Sequence, residues 1–167
     1  GDVGWRLALI TGLGGAAGVT LGGWIADRLS RRDQRWYVWV SAISLSLTLP
    51  LTLLAFLAED WDSMFLPYIF YLSLAALWLG PSLAITHSLV GLRQRAVASA
   101  ALFFIVNLVG LGLGPLTVGG LSDMLRPTYG DADGLRYAMV AVALLANSWS
   151  ITHYLLAART LRKDINH

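Results

Sequence analysis

Few residues in this sequence can do chemistry, and most of them crowd between Asp27 and Arg35. A glycine-dense run, Gly14-Gly15-Ala16-Ala17-Gly18-Val19-Thr20-Leu21-Gly22-Gly23, breaks into Asp27-Arg28, Arg31-Arg32-Asp33 and Arg35. Apolar residues resume at once with Trp36-Tyr37-Val38-Trp39-Val40. A carboxylate and guanidinium groups at a helix end can make and break charge contacts with a partner surface. Each such charge contributes about 0.3–1 kcal/mol, enough to bias a conformational equilibrium without locking it. Nucleophilic catalysis fits less well, because an activated serine needs a histidine base within reach. Ser82 and His87 fall on opposite faces of one helix, and no Gly-x-Ser-x-Gly elbow is present. With no cysteine there is neither a disulfide framework nor a thiolate metal site. No enzyme activity, cofactor, metal or nucleic-acid partner is expected.

The elements that must position these residues lie in a bilayer. The 167 residues are 56% hydrophobic and only 13% charged, against about 25% charge in soluble domains. Five apolar segments reach the roughly 20 residues needed to cross a 30 Å hydrocarbon core: about 5–26, 36–57, 64–90, 97–121 and 137–158, with a tail at 159–167. The third is long enough to suggest tilt. No carboxylate sits deep in any of them. No charged region precedes the first apolar run, so no signal peptide is expected, and the chain reads as a piece of a longer protein.

Orientation follows from Lys and Arg. Arg28, Arg31, Arg32 and Arg35 lie after the first segment, Arg93 and Arg95 after the third, and Arg159, Arg162 and Lys163 in the tail. The opposite side holds Arg6, Arg126 and Arg136 alongside Glu59, Asp60, Asp62, Asp131 and Asp133. The N-terminus of the chain is therefore expected outside and the C-terminus in the cytoplasm, in a multi-pass plasma-membrane protein such as one of a bacterial inner membrane.

At 100° per residue each helix shows a readable face. Thr11, Gly14, Gly15, Gly18 and Gly22 share one side of the first, where small residues spaced by four let backbones approach closely. Ser41, Ser44, Thr48 and Thr52 line the second, which carries Pro50 as an expected kink; their hydroxyls are expected to bond backbone or neighbouring helices. Tyr68, Tyr71, Ala75, Trp78, Ser82 and Thr86 gather on the third, a stripe that suits an amphipathic ligand in a cavity or aromatic packing between helices. His87 and His153 lie near helix ends and read as interfacial, because an intramembrane ionisable group is functional by default only at depth. On the fourth, Ser99, Phe103, Asn107, Gly110, Gly114 and Thr117 share a face, and Gly110, Gly114 and Pro115 describe a helix that packs closely and bends. Asn107 is near mid-membrane, where an unpaired amide is costly. The fifth carries a weaker polar line, Asn147, Ser150 and Tyr154, and is expected to be peripheral.

These residues carry a resemblance. Gly14, eight residues, Gly23, three residues, then Asp27-Arg28-Leu29-Ser30-Arg31-Arg32 resembles the signature loop of the major facilitator superfamily, with Ser30 where the family usually has Gly. Arg93-Gln94-Arg95-Ala96-Val97-Ala98-Ser99-Ala100 is similar to the loop and start of the eleventh helix of such transporters. Asn107 to Pro115, followed by Gly119-Gly120-Leu121-Ser122-Asp123, is similar to that helix's body and outer end. The combination most resembles the Spinster-like branch, whose animal members are associated with sphingoid and lysophospholipid export; Gly91-Leu92 replaces prolines common there.

The resemblance implies an all-α polytopic membrane protein whose five helices, eight through twelve, form part of a C-terminal bundle. The seventh helix and the N-terminal half would lie outside this chain. It further implies a secondary transporter of a small, amphipathic or lipid-like solute, working by rocking two bundles about a midplane site. A sugar, drug or organic anion carrier of the same superfamily, or a non-transporting scaffold module, is the alternative. The implied roles are a gating loop at Gly14, Gly23, Asp27, Arg28, Arg31 and Arg32, with Asp27 latching one state against the missing half. Arg93 and Arg95 mark a second cytoplasmic loop. Helix packing falls to Gly18, Gly22, Gly110, Gly114 and Pro115, and cavity lining to Thr11, Tyr71, Trp78, Ser82 and Asn107. Eighth, tenth and eleventh helices would face the cavity and ninth and twelfth lie outside it. The implied partners are the bilayer, the N-terminal half, a small-molecule substrate and a coupling proton whose carrier lies in that other half.

Overall fold

A computed structural model describes residues 2–165. They form helices throughout, with no strand among the described residues. The first pass, α1 (Asp2–Ser30), has 29 residues and extends about 44 Å, well beyond the hydrocarbon core. The second is α2 (Trp36–Phe56), continuous across Pro50. The third is in two pieces, α3 (Trp61–Ala76) and α4 (Leu79–Ser88), separated at Leu77 and Trp78. Asp60 caps α3 by accepting the Ser63 amide at 2.8 Å. That bond, with the Ser63 hydroxyl, holds the Asp60 carboxyl below the usual carboxylate range. Its contribution is present at neutral pH and disappears as pH falls through the lowered value.

A short 3₁₀ turn, Leu92–Gln94, leads into α5 (Arg95–Asn107), a π-helical stretch (Leu108–Leu113) and α6 (Gly114–Ile165). The helical stretch Leu92–Leu161 runs for 70 residues, more than three times the length of one crossing. Gly130 divides it. Its φ of 81° and ψ of 176° interrupt α6 in a region that only glycine adopts without strain. A fourth pass therefore ends near Gly130 and a fifth begins after it. The fifth starts six residues before the sequence-derived bound at 137, because no extended linker separates the two helices. The basic tail continues as helix to Ile165; residues 166 and 167 lie outside the described residues.

α2 is the helix around which the others gather, packing on α1, α3, α4 and α6. Its buried residues are Val38, Val40, Ser41, Ala42, Ser44, Leu45, Thr48, Thr52 and Ala55, and among them Val38, Ser41, Leu45, Thr48, Thr52 and Ala55 are spaced by three and four as in a close helix seam. Such a face holds helices together in lipid through van der Waals fit, since burial against lipid tails offers no hydrophobic gain. The hydroxyls are satisfied one turn back: Ser44 donates to Ser41 O at 2.9 Å, Thr48 to Leu45 O at 2.7 Å and Thr52 to Thr48 O at 2.8 Å.

α1 lies on α3 and α4 through its glycines. A Cβ on Gly22 would run into the Leu77 carbonyl oxygen and lie 2.8 Å from its carbon. One on Gly18 would meet the Ser73 carbonyl and lie 2.9 Å from Ala76 Cβ. Gly80 completes the contact from the other side, 2.9 Å from the Gly23 nitrogen by the same construction. Gly110 and Gly114 differ: a Cβ at either meets open space. Pro115 follows the π-helical stretch, whose wider turn accommodates the missing amide and ring of a proline inside a helix.

Gly22→Val is expected to cost about 1–3 kcal/mol, the usual range for overpacking, read as a lower thermal midpoint in detergent. Gly15→Ala, at an open position on the same helix, is expected to leave the midpoint unchanged or raise it slightly. Equal midpoints for the two variants would contradict this packing.

Candidate functional site

The charged knot folds into a turn on the end of α1. The Arg32 amide donates to Leu29 O at 3.0 Å and the Trp36 amide to Asp33 O at 3.0 Å, so α2 starts almost at once. Asp33 and Arg35 close the turn: the Arg35 amide lies 3.0 Å from Asp33 Oδ1, and its guanidinium 3.2 Å from Oδ2. Arg35 thus has a local role in shaping the turn. Asp27 sits in the last turn of α1, where the helix dipole disfavours a carboxylate and favours a cation such as Arg28. Its Oδ1 accepts the Tyr37 hydroxyl at 3.0 Å, and Ser30 Oγ donates to its backbone carbonyl at 2.9 Å. Arg28, Arg31 and Arg32 are exposed, as are Arg93 and Arg95 on the turn before α5.

The other end of the bundle handles charge differently. Around Gly130, Arg126 pairs with Asp131 at 2.6 Å and with Asp123 at 3.8 Å, and Arg136 pairs with Asp133 at 3.4 Å. Each of these two arginines has a carboxylate beside it.

The stripe on the third pass turns toward other helices of this chain. Tyr71 meets the Phe56 ring edge-on at 5.7 Å and stacks with Tyr68 at 6.1 Å. Ser82 Oγ lies 2.7 Å from the Tyr154 hydroxyl on α6. Trp78 is half-buried, and its carbonyl accepts from Ser41 Oγ at 3.5 Å. Of the five residues expected to line a cavity, Tyr71 and Ser82 are therefore engaged in helix packing, because a ring edge and a hydroxyl are satisfied there. Thr11 and Asn107 are exposed, on α1 and α5, and Asn107 donates to Phe103 O of its own helix at 2.7 Å. The structure does not gather the five into one lining.

Two contacts escaped the reading of single helices. Asn147 Nδ2 donates to Thr48 Oγ1 at 3.1 Å, and with Ser82–Tyr154 this makes the polar line on the fifth pass a hydrogen-bonded seam. That pass is not peripheral to the bundle: Ala158 and Leu161 pack on Val38 of α2. The signal was in the sequence, since an amide on one helix and a hydroxyl ladder on another invite pairing in lipid. The second contact is His87 Nε2 to Ser99 Oγ at 2.6 Å, which ties α4 to α5. His153 instead lies exposed against its own helix, its ring 4.7 Å from that of Trp149.

No protein-family model matches the chain. An MFS-type efflux pump of Mycolicibacterium smegmatis is 36% identical over 165 residues, 99% of this chain and 38% of the pump. Over almost its whole length the chain is similar to part of this major facilitator superfamily transporter. Its fold matches that of a bacterial homologue of the human lysosomal transporter Spinster, solved in an inward-facing and occupied conformation. That match has a TM-score of 0.78 at 24% identity and covers 90% of this chain and 40% of the other. The chain spans about two fifths of the length of either protein, and its fold matches that part of the solved transporter.

Within this chain, the Thr48–Asn147 contact is expected to be worth about 0.6 kcal/mol, the average for polar pairs between membrane helices. A double-mutant cycle of Thr48→Val and Asn147→Leu, read by unfolding in detergent, measures it; strictly additive effects would remove the contact from the seam.

Proposed function

We propose that this chain supplies helices eight to twelve of a major facilitator exporter that moves a small, amphipathic or lipid-like solute by rocking alternating access. Asp27 acts in it as the latch toward the N-terminal half. The observation that carries the reading is the placement of Asp27: an exposed carboxylate kept at the unfavourable end of α1, accepting the neutral Tyr37 hydroxyl and followed in sequence by Arg28, Arg31 and Arg32. A group retained against its own helix dipole is suited to a counter-charge elsewhere. Gly14 and Gly23 keep the helix leading to the loop slim, and Arg28, Arg31 and Arg32 hold it on the cytoplasmic side.

The charge pattern supports that orientation. Arg28, Arg31, Arg32 and Arg35 with Arg93 and Arg95 outnumber Arg126 and Arg136 near Gly130, the excess of basic residues that the positive-inside rule expects of a cytoplasmic face. The efflux pump that the chain resembles supports export as the direction. Thr11 and Asn107, exposed on α1 and α5, would present polar groups to the solute from this half, while Tyr71, Trp78 and Ser82 would hold the wall behind them. Proton coupling, where it operates, would use a carboxylate of the N-terminal half.

In the full-length protein reconstituted in vesicles, Asp27→Asn is expected to slow export. It should also shift the ratio of inward- to outward-facing states, read by spin-label distances, by about two- to fivefold, the equivalent of one helix-terminal charge. Unchanged export together with unchanged distances would refute the latch.

A further inference from the structure

The groove between α1, α2 and α3 that opens beside the arginine loop is not explained by transport. Ile25 and Leu29 of α1, Trp36, Val40 and Leu47 of α2, and Leu74 of α3 line it. Its one polar lining residue, Ser44, has its hydroxyl committed to Ser41 O. The wall is thus apolar along its length. Trp36 to Leu47 spans about 16 Å of helix, close to the roughly 15 Å of a single leaflet's hydrocarbon.

The mouth of the groove is basic. Leu29 is adjacent to Arg28, and its carbonyl accepts the Arg32 amide. Ile25 and Leu29 lie one turn apart on α1 with Arg28 beside Leu29, and Arg32 sits in the turn that follows the helix. Both arginines are exposed, and the loop stays basic: its four arginines outnumber its two aspartates, of which Asp33 is paired with Arg35 while Asp27 keeps its charge on accepting the Tyr37 hydroxyl. Trp36 lines the same end, and an indole is favoured at headgroup depth. The cleft at the opposite end, between Phe56, Tyr68 and Met139, has no such rim: its one arginine, Arg136, is paired with Asp133.

We infer that this groove is a binding site for one anionic phospholipid of the leaflet on the arginine-loop side. An acyl chain lies along Val40 and Leu47, and the headgroup phosphate is held by Arg28 and Arg32. A guanidinium's planar fork matches phosphate oxygens in pairs. A zwitterionic lipid would fill the groove without net attraction at its mouth, and an apolar peptide would leave both arginines without a counter-charge. The site is separate from the latch and does not depend on it.

The test uses the full-length protein in phosphatidylcholine nanodiscs doped with chain-brominated phosphatidylglycerol or chain-brominated phosphatidylcholine. Fluorescence of Trp36 is taken as the difference between the native protein and Trp36→Phe. Brominated phosphatidylglycerol is expected to quench Trp36 at a several-fold lower mole fraction than brominated phosphatidylcholine. Arg28→Gln and Arg32→Gln should each weaken that preference by about fivefold or less, and Arg32→Lys should keep most of it. Native mass spectrometry of the unmodified protein reads the same preference through retained lipid. Equal quenching by the two lipids would mean ordinary bilayer contact, and quenching by neither would mean that the rest of the protein covers the groove. Either result overturns the site.

Discussion

Helices in hydrocarbon gain nothing by hiding apolar surface from one another, so this bundle depends on how closely backbones can approach. The decisive approach is that of α1 to the break in the third pass, where Gly22 leaves room for the Leu77 carbonyl and Gly80 fits beside Gly23. A helix break at that depth frees carbonyls that lipid cannot satisfy, at a cost of several kcal/mol each when left alone. Here the Trp78 carbonyl receives the Ser82 amide and the Ser41 hydroxyl. The glycines of α1 and the hydroxyl face of α2 therefore meet at the one place where the third pass is irregular. Close packing and polar satisfaction are solved by the same contact.

From that centre the chain becomes progressively less engaged. α2 carries the buried seam, α1 and the third pass bury one face each, and α5 has no buried residue among those described. α5 is held to α4 by the His87–Ser99 hydrogen bond, while Phe104, Ile105, Leu108 and Leu111 stay exposed. Exposed apolar surface of this kind is natural for a helix facing lipid or a neighbouring bundle.

The all-helical, membrane-spanning character was legible because length and apolarity define a crossing almost without reference to neighbours. The family resemblance was legible because Gly14, Gly23 and Asp27 to Arg32 keep the spacing of its signature loop. What escaped was pairing between helices. Periodicity put Tyr71 and Ser82 on one stripe but could not say whether a cavity or another helix faced it; Phe56 and Tyr154 answer that only once the helices are assembled. The fifth pass was underestimated for the same reason. Asn147 looked isolated on its own helix, and its partner Thr48 lies 99 positions away in sequence. The third pass was read as one helix although Gly80-Pro81 lies inside it; Pro81 has no amide to give the Leu77 carbonyl four residues back and its ring crowds that carbonyl, so the helix breaks at Leu77 and Trp78.

The π-helical stretch at Leu108–Leu113 has an effect beyond making room for Pro115. Each of its turns takes in an extra residue, so side chains after it are rotated by about one residue's angle, roughly 100°, relative to an unbroken α-helix. Ser99, Phe103 and Asn107 lie before that slip and Thr117 after it, so they do not share one uninterrupted stripe. The stretch works as a phase coupling between two half-helices. The half that carries Asn107 and the half that carries Pro115 can each be aimed independently at what surrounds it, while the chain still crosses the membrane as one rod.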